Sequence, residues 1–141
     1  MPVGFPVRSD LRAVLLTVPT LPGVAWEGRA FEPDPDQMYI TERLIYVNDT
    51  PTTLGNYGHS RTEMAYMLTV HAPARSGNLS ELEDLADRIL YAYPLGRSVG
   101  SPVVHGRVTR TRRGNVLTQA AWRSITVTIA CFIHRSTHVE P

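Results

Sequence analysis

Five histidines, one cysteine and the run Pro33-Asp34-Pro35-Asp36 are the residues of this chain whose types suit metal binding or catalysis. His134 and His138 have the His-x-x-x-His spacing, which brings two imidazoles to one ion when it lies on a helix. Here the pair runs off an alternating apolar stretch into the C-terminal tail, and no Glu follows His134. His71 and His105 fall on different segments. Cys131 shares a strand face with Ile125, Val127, Ile129 and Ile133, which makes it a packing residue; a nucleophile needs an exposed, activated thiolate. Asp34 and Asp36 lack the further oxygen ligands at regular spacing that a calcium loop requires. The chain has neither a Gly-rich phosphate loop nor a serine elbow. The residues therefore point to no catalytic group, no metal and no cofactor. The enzymatic or ligand-binding alternative is a site assembled in space from residues such as His71, His105 and Glu63.

The remaining chemistry is that of contact surfaces. Lys and Arg total 14, all of them arginine, against 13 acids, for a net charge of +1. Attraction to nucleic acid must then come from a local cluster. The densest is Arg107, Arg110, Arg112 and Arg113. It suits a solvated hairpin tip that keeps a sheet edge from aggregating. It also suits a sparse channel lining that touches DNA without reading bases, or a partner for the acidic helix start Glu81, Glu83, Asp84 and Asp87 of a neighbouring subunit. Those acids equally favour their own helix N-terminus. On a regular strand Arg107 and Arg110 fall on opposite faces, with Arg112 and Arg113 at the turn. Trp26 and Phe31 lie in a proline-bearing linker, Leu21 to Ile40. They either pin that linker over the sheet edge or anchor a subunit interface, where buried aromatics often dominate. The segment Asn48 to Ser60, with Thr50, Pro51, Leu54, Gly55, Asn56, Tyr57 and Gly58, is too long for a tight turn. It is expected to be a contact loop, loose in the free subunit and ordered by a neighbour.

The elements that position these residues follow from periodicity. Ser9 or Asp10 caps a short helix to about Thr17, with Leu11, Val14 and Leu15 on one face. Pro19 and Leu21-Pro22-Gly23 end it. Val24 to Trp26 is a candidate short strand, and Met38 to Val47 a long one. Arg61 to His71 alternates, with Met64, Tyr66, Leu68 and Val70 facing one way. A helix follows to about Tyr93, capped by Ser80 with Glu83 or by Asn78 with Glu81. Leu82, Leu85, Ala86 and Ile89 form its buried stripe. Pro102 to about Thr111 and Trp122 to His134 complete the strands, joined by a hairpin connection. The expected fold is α+β: a single, mainly antiparallel sheet of about four strands, one long helix packed on a face and a short N-terminal helix.

At 141 residues the chain is expected to be one domain, 1–141, with an ordered core of about 9–134. A lone cysteine excludes an intrachain disulfide and fits a reducing cytoplasm. No apolar run is long enough for a membrane span, and the N-terminus lacks a signal-peptide pattern. A net charge of +1 and the lack of a recognition-helix pattern argue against a DNA-binding regulator.

One family resemblance rests on the order of these features. A capped helix leads into Val-Ala-Trp-Glu-Gly-Arg-Ala-Phe-Glu-Pro (24–33) and a strand. Then come a Gly-bearing hairpin, a strand ending His71-Ala72-Pro73, a Gly77 turn, a helix carrying Leu85-Ala86-Asp87, and a strand pair ending in the strand from Trp122. Over roughly residues 9–134 this resembles the tail terminator family of long-tailed bacteriophages, similar in plan to minor tail protein U. The resemblance implies a virion protein, assembled in the host cytoplasm, that forms a ring, usually a hexamer, at the head-proximal end of the tail tube. Such a ring ends tube polymerisation, docks the head and lets phage DNA pass. The implied partners are other copies of the chain, the tail tube protein, a head-completion or connector protein and passing DNA, with no membrane. A different head–tail joining or tail completion ring is the neighbouring alternative.

Overall fold

The computed structural model describes residues 4–51, 59–74, 78–100 and 105–136, with backbone alone at 4, 5, 50, 51, 59, 60, 105, 135 and 136. The elements are α1 (Gly4–Leu15), β1 (Gly23–Ala25), β2 (Tyr39–Pro51), β3 (His59–Pro73), α2 (Leu79–Tyr91), β4 (Ser98–Gly100), β5 (His105–Arg113), β6 (Leu117–Gln119) and β7 (Trp122–Ser136). The strands make one sheet in the order β1-β2-β3-β7-β5-β4, with β6 also paired to β7. Among the described residues only β1 on β2 is parallel.

This corrects the expected four-stranded sheet under one long helix. Among the described residues there are seven strands, curled into a half-barrel, and two short helices of 12 and 13 residues. β1, β4 and β6 have three residues each, too few to show a period of two. They exist because long neighbours offer them unpaired backbone groups. α1 starts at Gly4, ahead of the expected caps. Pro6 sits in its first turn, where a backbone N–H has no intrahelical acceptor to lose. Asp10 then lies inside the helix, and its Oδ2 accepts the Gly100 N–H at 3.1 Å.

The strands also claim residues expected in loops. β2 and β3 pair from Tyr39 opposite His71 to Pro51 opposite Ser60, so both ends of the Asn48–Ser60 segment are strand. Leu54, Gly55, Asn56, Tyr57 and Gly58 lie outside the described residues, as do the side chains of Thr50 and Pro51. No capping box starts α2. Asn78 is the N-cap without a side-chain cap bond: its Nδ2 donates to the Pro73 carbonyl, and its buried Oδ1 has no partner among the described residues.

Both helices cover one face of the sheet. Met64, Tyr66, Leu68 and Val70 of β3 and Ile125, Val127, Ile129, Cys131 and Ile133 of β7 supply the floor. Leu82, Leu85, Ala86 and Ile89 close it from α2; Val7, Leu11, Val14 and Leu15 close it from α1. Each large apolar side chain so buried contributes about 1.5–3 kcal/mol. Gly106 lets β5 lie tight on β7, since a Cβ there would stand 1.6 Å from the Phe132 carbonyl oxygen. The other face of the sheet carries no described element.

Candidate functional site

The covered face holds one ionic cluster. Glu42 follows the inward alternation of Ile40 and Leu44, and its side chain is fully buried. Arg12 of α1 donates to both of its oxygens, at 2.7 Å from Nε and 2.5 Å from Nη2. The Tyr66 hydroxyl donates as well, and the Glu27 N–H adds a bond of 3.1 Å. Arg8 bridges Glu27 at 2.7 Å and Glu42 at 3.4 Å. Burial pushes the Glu42 carboxyl up, but Arg12, Tyr66 and the Glu27 N–H outweigh it and hold it below 4.5. The same carboxylate raises Arg12 and, after burial itself, the Tyr66 hydroxyl. Glu27 in turn accepts the Leu44 N–H at 3.1 Å. The cluster therefore ties α1, the linker, β2 and β3 together.

The linker aromatics pack on their own subunit. The Arg12 guanidinium lies 5.0 Å over the Trp26 ring, and Trp26 packs against the core. Phe31 stacks on Tyr39 at 5.5 Å and stays 39% exposed. Tyr39 continues onto His71 at 4.5 Å and meets Trp122 edge-on at 5.1 Å. Thr41 Oγ1 lies 3.1 Å from His71 Nε2, and burial lowers the imidazole pKa below 6.5. These rings form one end of the open face.

The other end is basic. A bulge between Val108 and Arg110 inserts Thr109 and resets the alternation of β5. Arg107, Arg110 and Arg112 consequently share the open face, opposite Phe132, Ala130 and Thr128. Arg107 and Arg110 were expected on opposite faces, and the extra residue is the reason they are not. Arg112 and Arg113 lie in the strand and point to opposite sides. Arg113 reaches Asp87 of α2 at 3.1 Å. A second bulge, between Tyr46 and Asn48, bends β2 at the same end of the sheet. Between them lies a groove of about 440 Å³ floored by Ala65, Thr128 and Ala130 and rimmed by Val47, Arg61, Arg110 and Arg112. The Arg61 guanidinium stands 4.1 Å over Phe132, and its buried Nε has no hydrogen-bond partner among the described residues.

Of the four helix acids, Asp87 is engaged by Arg113, and Asp84 pairs with Arg88 at 2.9 Å. Glu81 and Glu83 have no ion pair among the described residues. Asp34 Oδ1 accepts the Asp36 N–H at 2.9 Å, a local turn. Glu63 and His71 share a face of β3 but stand eight residues apart, roughly 26 Å along a strand. The structure does not bring that alternative site together. Among the described residues no three His, Cys, Asp or Glu side chains cluster around a metal position. Cys131 is buried, which pushes its thiol up to about 12. The geometry offers contact surfaces and no poised nucleophile among the described residues.

The family model for the phage tail terminator protein matches residues 7–130. The chain belongs to the phage tail terminator family. The matched span runs from the first turns of α1 into β7, so it includes the Glu42 cluster, α2 and most of the groove lining. A solved structure that is 19% identical, covering 96% of this chain and 95% of its own, superposes with a TM-score of 0.66 and shares the fold. No curated protein matches the chain. As a tail terminator family member, the protein has a structural role in a bacteriophage tail. Its working parts are accordingly surfaces. Glu42, absent from the sequence-based candidates, ties the helix, linker and strands of the fold together. A charged residue at an inward position of an apolar strand was the signal that marked it.

Proposed function

We propose that this protein forms a ring, a hexamer, at the head-proximal end of the tail tube. The ring ends tube polymerisation, presents the docking surface for the head through a head-completion or connector protein, and lets phage DNA pass. The observation that carries this reading is the tail terminator family match over residues 7–130. The fold supports it physically. One sheet face is closed by helices and fixed by an internal ion cluster, while the other keeps a charged face free for partners.

The test is tail assembly without the protein, viewed by electron microscopy. Tubes that overrun their normal length and carry no heads are expected, with both defects repaired when the purified protein is added. Tails of normal length joined to heads in its absence would overturn the role.

A further inference from the structure

We propose that the arginine-lined groove of the open face receives the outer side of α2 from a second copy of this chain, in a head-to-tail contact. The contact rests on the ring proposed above and names the two surfaces that close it.

Charge complementarity argues for this occupant. Among the described residues the open face presents Arg43, Arg61, Arg107, Arg110 and Arg112 against the single acid Glu63. Arg110 and Arg112 have no ion pair there, and Arg61 keeps a buried donor unmatched. On the opposite side of the molecule, α2 turns Glu81, Glu83 and Asp84 away from its buried stripe. Guanidinium forks pair with carboxylates bidentately and are less tightly hydrated than ammonium groups, which suits an interface.

Apolar surface accompanies the charges on both sides. Tyr91 is 82% exposed at the end of α2 and Leu95 67% exposed just beyond; on the groove rim Val47 is 62% exposed. Thirteen residues make α2 about 20 Å long at about 1.5 Å per residue, enough to lie across several strands. Because donor and acceptor surfaces lie on opposite sides of one molecule, the contact is heterologous. Such contacts repeat head to tail and close into rings when the rotation allows.

The test is a charge swap followed by sedimentation over a wide concentration range. One variant carries Arg110→Glu with Arg112→Glu, a second carries Glu81→Arg with Glu83→Arg, and a third carries all four changes. Thermal melting checks that each variant is folded. Either reversal alone should weaken assembly at least tenfold, and the fourfold variant should recover most of it. Rings that persist in both reversal variants, or a fourfold variant that stays apart, would overturn the contact and leave the ring standing. Reversed arginines that spare the ring but abolish retention of double-stranded DNA would overturn it in favour of a channel lining. A wild-type chain that is monomeric at every concentration, also when tail tubes are added, would overturn the ring and the contact together.

Discussion

The two faces of the sheet are built from the same strands and do opposite work. On the covered face every second residue from Met64 to Ala72 in β3 and from Ile125 to Ile133 in β7 is apolar and buried, and Glu42, the one buried carboxylate among the described residues, is matched by Arg12, Tyr66 and Glu27. On the open face the alternate residues are mostly polar or small, among them Glu63, Ala65, Thr69, His71, Ser124, Thr126, Thr128 and Ala130, with an aromatic stack at one end and an arginine groove at the other. Charge inside is paired because an unpaired buried ion is expensive. The exposed charges of Arg110 and Arg112 have no ion pair among the described residues, and water can serve them. On the proposed ring contact, the difference separates stability from assembly, residue by residue, along single strands.

Breaking the covered face should give the largest effects. Glu42→Ala leaves Arg12 and the Tyr66 hydroxyl without their acceptor, and a loss of about 3–5 kcal/mol is expected, read by denaturant unfolding. Tyr66→Phe keeps the ring and removes one donor to a charged group; about 1.5–3 kcal/mol should be lost.

Acid sharpens the same comparison. Glu42 has a folded pKa below its unfolded value, so its stabilisation is complete above the ordinary 4.5 and is lost as pH falls through the folded value. His71 is also lowered, by burial, so protonation favours the unfolded chain and stability falls as pH drops below 6.5. Melting temperature against pH should therefore decline in two stages. Glu42→Gln should flatten the lower stage and His71→Gln the upper. An unchanged profile in either variant would count against the corresponding assignment.

The smallest stability effect belongs to the groove. Arg110→Ala with Arg112→Ala should move unfolding by no more than about 0.5 kcal/mol, as for other exposed sites free of structural partners. A loss above about 2 kcal/mol would show that these arginines hold the fold, and the separation of the faces would fail.

Much of the covered face was legible in the sequence. The alternation from Ile125 to Ile133 and the stripe Leu82, Leu85, Ala86 and Ile89 identify β7 and α2 with their buried sides, because burial imposes a period that composition preserves. The open face was harder to read, for a physical reason. A bulge shifts every later side chain to the other face, and nothing in the types Val108-Thr109-Arg110 marks the inserted residue. The arginine cluster was visible as a cluster, but its shared face was not. Of the three-residue strands, β1 was anticipated at Val24 to Trp26, whereas β4 and β6 were hidden because pairing with a long neighbour, not local pattern, creates them. The opposite charges of Arg113 and Asp87 were visible, whereas their mutual contact depends on how α2 lies over β5.

Covalent labelling specific for arginine and carboxylate, compared by mass spectrometry between free and assembled protein, tests the division between the faces most directly. On assembly Arg110, Arg112, Glu81 and Glu83 should lose reactivity, while buried Glu42 and its partner Arg12 stay as poorly reactive as before. Groove arginines and helix acids that label equally in the free and assembled states would contradict it.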